Sequence, residues 1–168
     1  IVYDANYNEL DRRSNSQNYK FTGLNPGTVI VQIYKDDMVV AEDQDTVTAG
    51  STKTVNLYAN AKVDLEAKIK YSDGSDFPGA TVKLYNHAGL FGTKTADSNG
   101  EVEWSVYPST QSGEYYYLEV YDGSQKVGQR NQFSITSSTT YSITTSTAAP
   151  AQTGDLRVRA YTSNSGHL

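Results

Sequence analysis

The sequence predicts an all-β protein of two tandem Ig-like β-sandwiches, the first lacking its opening strand. Three observations predict this. Short stretches alternate apolar and polar residues, as in Val63-Asp64-Leu65-Glu66-Ala67-Lys68-Ile69, the pattern of a strand with one face in a core. Turn-forming pairs such as Asp73-Gly74, Asn99-Gly100 and Asp122-Gly123 separate these stretches, and no window shows a convincing helical period. The chain also repeats itself, with nearly constant spacing between matched strands.

The complete copy spans residues 62–144. After its opening strand, Phe77-Pro78-Gly79 sets up Ala80-Thr81-Val82-Lys83-Leu84-Tyr85. Thr93-Lys94-Thr95 follows, then a hairpin turn at Asn99-Gly100 and the strand Glu101-Val102-Glu103-Trp104-Ser105-Val106. A long strand over residues 115–121 leads to strands centred on Phe133-Ser134-Ile135 and Tyr141-Ser142-Ile143.

Residues 1–58 repeat the later part of that unit. Val2-Tyr3-Asp4 sits where Leu84-Tyr85-Asn86 sits, and Tyr19-Lys20-Phe21 lines up with Val102-Glu103-Trp104. Val31-Gln32-Ile33-Tyr34 matches Leu118-Glu119-Val120-Tyr121, Thr46-Val47-Thr48 answers Ser134-Ile135-Thr136, and Thr54-Val55-Asn56 answers Ser142-Ile143-Thr144. The expected division is an incomplete sandwich over 1–58, a complete one over 59–147, and a linker with a spare strand over 148–168. The short connection 58–62 limits independent motion of the two sandwiches.

In this sequence nothing before Ile1 plays the part of residues 63–79, which is expected of a processed mature form or an excised piece. The missing pattern reappears at the other end. Gly154-Asp155-Leu156-Arg157-Val158-Arg159-Ala160-Tyr161 resembles Val63-Asp64-Leu65-Glu66-Ala67-Lys68-Ile69-Lys70 position by position. Leu156, Val158 and Ala160 would face a core, while Arg157 and Arg159 would face water. An incomplete sandwich exposes an apolar groove and unpaired strand edges, which invite association. The expected acceptor is lined by Val2, Phe21, Val31, Ile33 and Val55, and the spare strand would fill it by donation. Burying Leu156 and Val158 would contribute roughly 1.5–3 kcal/mol each, and ladder bonds about 1 kcal/mol net apiece.

The linker before Gly154, about ten residues, reaches at most ~35 Å, roughly the length of one sandwich, so returning to the same chain's first sandwich would strain it. Donation to a neighbour is easier, and a head-to-tail contact that does not close makes a filament. Two other outcomes stay open: closure within one chain, and a piece of a longer tandem array whose next repeat begins at Gly154.

Composition narrows the function classes. A net charge of −5 over 168 residues gives no basic footprint for nucleic acid. No apolar run of about 20 residues is present to span a membrane as a helix, and the absence of cysteine rules out a disulfide framework without bearing on secretion. His87 and His167 sit near turns or ends with no nucleophile pattern beside them, so no catalytic residues are assigned and the chain is not expected to be an enzyme. No cofactor is expected. Calcium is the one ion considered, at Asp97-Ser98-Asn99-Gly100 or at the pairs Asp36-Asp37 and Asp43/Asp45, where a plain turn and solvated loop charges are the favoured readings.

Segments such as Tyr19-Lys20-Phe21-Thr22-Gly23-Leu24-Asn25-Pro26-Gly27-Thr28 and Thr95-Ala96-Asp97-Ser98-Asn99-Gly100-Glu101 resemble those of transthyretin-like, or carboxypeptidase-regulatory-like, sandwich repeats and of the collagen-adhesin B-type modules of cell-surface proteins. The resemblance implies stalks, spacers, pilus shafts or accessory domains, and an extracellular setting. Collagen-adhesin modules often carry a Lys–Asn isopeptide bond promoted by an acid. Lys68 or Lys70 and Glu119 could match the Lys and the acid, and Asn56 is suitably placed in the first copy. Each copy lacks part of the set, with Gln32 replacing the acid in the first and no Asn in the last strand of the second, so the bond is not expected.

Trp104, matching Phe21, and Tyr116 are expected in the core. Tyr117 and Tyr121 fall on the opposite face with Glu119, and Tyr34 corresponds to Tyr121. Such a tyrosine row suits packing against another subunit or stacking on sugar rings. The sequence thus points to an extracellular structural subunit whose partner is itself, assembled head to tail by strand donation. The alternative is a carbohydrate-binding or spacer module of a secreted enzyme or adhesin.

Overall fold

The computed structural model describes residues 1–14 and 18–151. Its strands are β1 (Val2–Asp4), β2 (Glu9–Asp11), β3 (Gly27–Lys35), β4 (Met38–Val47), β5 (Val63–Lys70), β6 (Thr81–Asn86), β7 (Gly89–Thr95), β8 (Glu101–Val106), β9 (Tyr116–Asp122), β10 (Gln125–Phe133) and β11 (Thr139–Thr144). They form three sheets, ordered β2-β1-β3-β4, β10-β9-β6-β7 and β11-β5-β8. The architecture is all-β, as the sequence predicts.

The second and third sheets face each other across one core. On β5 the inward side chains Leu65, Ala67 and Ile69 are fully buried, while Asp64, Glu66, Lys68 and Lys70 point out. Val82 and Leu84 of β6, Val102, Trp104 and Val106 of β8, and Tyr116, Leu118 and Val120 of β9 complete the cluster. Tyr116, deep in this core, donates its hydroxyl to the Tyr107 carbonyl at 2.7 Å, and burial pushes its pKa well above the ordinary phenol value.

The first sheet has the order and register of the second. Val2 pairs with Val31 and Tyr3 with Ile30, just as Leu84 pairs with Leu118 and Tyr85 with Tyr117. Tyr34 faces Val39 as Tyr121 faces Lys126. Across these strands the sequence similarity is matched by similar hydrogen-bonded pairing.

Four local expectations are corrected. Strands β4 and β10 are longer than the short segments expected around Val47 and Ile135, and Ser134 and Ile135 lie beyond the end of β10. Polar edge strands such as β10 lack the alternation that marks a half-buried one. Asn99-Gly100 is not a hairpin, because it joins β7 and β8, which belong to different sheets. The Asp97 carboxylate accepts the N–H groups of Asn99 at 2.8 Å and Glu101 at 2.9 Å. Gly100 has φ +73°, and a Cβ there would lie 2.4 Å from the Ile69 carbonyl. Finally, Tyr19-Lys20-Phe21 and Thr54-Val55-Asn56 are not strands, although their counterparts in β8 and β11 are. Those counterparts both pair with β5, and the described residues among 1–62 contain no strand in that place.

The β3–β4 hairpin docks on the second core. At its tip Asp36 and Asp37 have φ +51° and +62°, a left-handed pair of the kind tight two-residue hairpins require. Met38, next in the chain, is fully buried in the cluster that includes Leu65 and Leu118. The Val39 N–H donates to Glu114 Oε1 at 2.6 Å, Thr110 Oγ1 donates to the Val39 carbonyl at 3.0 Å, and the Asn60 N–H donates to the Val40 carbonyl at 2.7 Å. Asn86 Nδ2 donates to the Asp36 carbonyl at 2.9 Å.

Candidate functional site

A groove of about 790 Å³ lies over the inner face of the first sheet. Val2, Val29 and Val31 share one face of the sheet and line it, together with Tyr19, Phe21, Leu24, Val55 and Asn56. The groove brings together four of the five expected acceptor residues: Val2, Phe21, Val31 and Val55. Ile33 is not among its lining residues, although by pairing it shares the face of Val31.

The two inner faces differ in cover. By register Val31 and Ile33 occupy the places of Leu118 and Val120. Leu118 and Val120 are fully buried beneath the β11-β5-β8 sheet, whereas Val31, Ile33, Phe21 and Val55 are only partly buried. The five residues expected as donor, Leu156, Arg157, Val158, Arg159 and Ala160, lie outside the described residues.

The outer face of the first sheet is closed by its own side chains. Tyr34 donates to Gln32 Oε1 at 2.7 Å and lies 3.2 Å from the Tyr3 hydroxyl, and Gln32 Nε2 donates to Glu42 Oε2. Gln32 and Ile30 are buried in consequence, and burial raises the Tyr34 pKa well above the usual phenol value. The matching face of the second sandwich is more open. Tyr85 and Tyr117 stack with ring centroids 4.5 Å apart and planes 2° from parallel. Tyr121 donates to Glu119 Oε2 at 2.8 Å, Lys126 Nζ meets Glu119 Oε1 at 2.6 Å, and Lys83 Nζ lies 4.4 Å over the Tyr121 ring. The Lys126 hydrogen bond holds the Glu119 carboxyl below its ordinary range, with Tyr121 and Tyr85 adding to it, and the Glu119 contact pushes Tyr121 up to about 12. A shallow hollow of about 590 Å³ runs between Tyr117 and Glu119 on one side and Gln129 and Asn131 on the other.

The remaining candidates do not converge. Lys68 pairs with Glu101 at 2.6 Å and with Glu66 at 3.4 Å, and Lys70 with Asp76 at 2.9 Å. They project from the outer face of β5, whereas Glu119 projects from the outer face of the opposite sheet, so no isopeptide set assembles. Asp36 pairs with Lys62 at 3.0 Å and Asp45 with Lys53 at 3.1 Å. No cluster of three or more carboxylates or imidazoles suited to a metal ion occurs among the described residues, and among them no helix is long and apolar enough to cross a membrane. Sequence reading missed Glu114, whose buried carboxylate accepts from Val39, Thr110 and Gln111 at 2.6, 2.8 and 3.0 Å. The one signal for it is that it is the only charged residue between Glu103 and Glu119.

No protein-family model matches the chain. S-layer protein B of Acidianus ambivalens is 36% identical over 83 residues, which cover 47% of this chain and 16% of that protein. Among solved structures, the shaft pilin SpaA of Lactobacillus rhamnosus GG aligns at 12% identity and a TM-score of 0.42, covering 74% of this chain and 66% of that one. The major pilin subunit BcpA of Bacillus cereus aligns at 13% identity and a TM-score of 0.38, covering 74% and 40%.

Proposed function

We propose that the chain is a structural, extracellular cell-surface protein that joins copies of itself head to tail, the strand over residues 154–161 of one copy filling the groove of the next. The observation that carries this reading is that the inner face of the first sheet, buried at Val2 and Val29, is only partly covered at Val31 and Ile33 among the described residues. Val31 and Ile33 stay partly open where Leu118 and Val120 are sealed by a second sheet. Residues 154–161 have the apolar spacing of β5, the strand that seals the second sandwich. The likeness to an S-layer protein supports the surface setting. The activity is binding, through burial of Leu156, Val158 and Ala160 and the ladder bonds on either side of them.

Light scattering on the full chain and on a chain truncated after Thr153 tests this. The full chain should form a series of polymers and the truncated chain monomers that bind a peptide of residues 154–168. A full chain that stays monomeric overturns the reading and favours a groove filled by another segment of a longer polypeptide.

A second reading rests on the Tyr85–Tyr117 stack and the hollow beside it, whose carboxylate and amides suit a neutral sugar or a packing neighbour. Sugar affinity lost in Tyr117→Ala, in a chain that stays monomeric, would select the carbohydrate-binding or spacer class instead.

A further inference from the structure

We infer that the donated strand enters as the middle strand of a three-stranded sheet, antiparallel to residues 18–22 and parallel to residues 53–56, with Arg157 opposite Lys20 and Arg159 opposite Thr54. This inference rests on the strand-donation reading and adds direction, register and a consequence for the acceptor.

The second sandwich supplies the argument. Its β5 lies between β8 and β11, antiparallel to the first and parallel to the second. Without β5 these two would have no partner in their sheet. The first sandwich meets that condition. Residues 18–22 and 53–56 match β8 and β11 in sequence, both line the groove, and are not strands. The connections also match, since residues 18–22 follow β2 as β8 follows β7, and residues 53–56 follow β4 as β11 follows β10. With both segments running in the directions of their counterparts, the direction of a strand laid between them is fixed.

Register follows from the alternation. In the second sandwich Leu65 faces Trp104, Glu66 faces Glu103, and Lys68 faces Ser142. Transferred through the repeat, Leu156 faces Phe21, Arg157 faces Lys20, and Arg159 faces Thr54. A slip of one residue would turn both arginines into the groove and all three apolar side chains out of it, so register is strongly specified. Donation then completes two broken ladders at once: the incoming strand creates the acceptor's second sheet instead of extending an existing edge.

The chain contains no cysteine, so introduced thiols report pairing without background. Chains carrying K20C are mixed with chains carrying R157C or R159C, and chains carrying T54C with the same two, then oxidised and run without reductant. Disulfide-linked dimers are expected for K20C with R157C and for T54C with R159C, at least tenfold over the two mismatched mixtures. Dominant cross-linking of the mismatched mixtures, or of none while the untreated chain still polymerises, overturns the register and leaves donation standing. A chain that never polymerises and never cross-links overturns donation itself.

Discussion

Met38→Ala tests whether the first sheet and the core between the other two sheets form one mechanical unit. Met38 belongs by chain to the first sheet, yet its side chain is fully buried in the core of the second sandwich, beside Leu65 and Leu118. Truncating a buried methionine costs about 2–5 kcal/mol, the transfer term plus the cavity left behind. A mid-range loss of ~3 kcal/mol, divided by a urea slope of ~2 kcal/mol/M, lowers the unfolding midpoint by ~1.5 M. Gln125 holds the same hairpin position in the second sandwich and is exposed, so Gln125→Ala should change stability by less than about 0.5 kcal/mol. Fluorescence of Trp104, the single tryptophan, reports the second core, and far-UV circular dichroism reports all the sheets. The two signals should coincide in the unmutated chain and separate in Met38→Ala, the first sheet melting earlier. Equal, small midpoint shifts in Met38→Ala and Gln125→Ala would refute the reasoning, because the hairpin would then rest on the second core without being anchored in it.

Three further substitutions probe the groove, the joint and the outer face. Val158→Asp should weaken self-association at least 100-fold in sedimentation velocity, since a carboxylate would have to enter an apolar slot, whereas Arg157→Ala should stay within a few-fold; equal effects would remove the inward placement of Val158. Glu114→Ala leaves the Val39, Thr110 and Gln111 N–H groups without their acceptor and should cost about 2–3 kcal/mol in urea unfolding, with Glu114→Gln recovering part; a loss under about 0.5 kcal/mol would deny Glu114 its docking role. Glu119 has a depressed pKa caused first by Lys126, so its contribution is fully present above the ordinary glutamate value near ~4.3 and lost as pH falls through the lower folded value. Lys126→Ala should therefore reduce stability at pH 7 and match the unmutated chain in acid below that range; a difference that persists or grows in acid would contradict the assignment.

The legible parts of the fold were those where one face of a strand meets one core. Val63-Asp64-Leu65-Glu66-Ala67-Lys68-Ile69 announces β5 because Leu65, Ala67 and Ile69 are buried, Val63 partly so, and the polar side chains between them reach solvent. The same pattern recurs at residues 154–161, which lie outside the described residues. β10 was hidden because it is a sheet edge on which Val127 is the one buried side chain and, apart from Gly128 and the terminal Phe133, the rest is polar on both faces. The joint was hidden for the opposite reason. Met38-Val39-Val40 is apolar without alternation because one side faces its own sheet and Met38 is claimed by a neighbouring core, a demand that a strand read alone does not register. The comparison between copies makes the demand visible. Where the first hairpin has Met38-Val39, the second has Gln125-Lys126, both exposed, so the apolar tip that docks the first sheet on the neighbouring core is not repeated in the β9–β10 hairpin. A third sandwich following this one would meet a polar tip across a longer linker, with no apolar anchor to seat. On the strand-donation proposal, the strand pairing itself would then have to supply the hold at that joint.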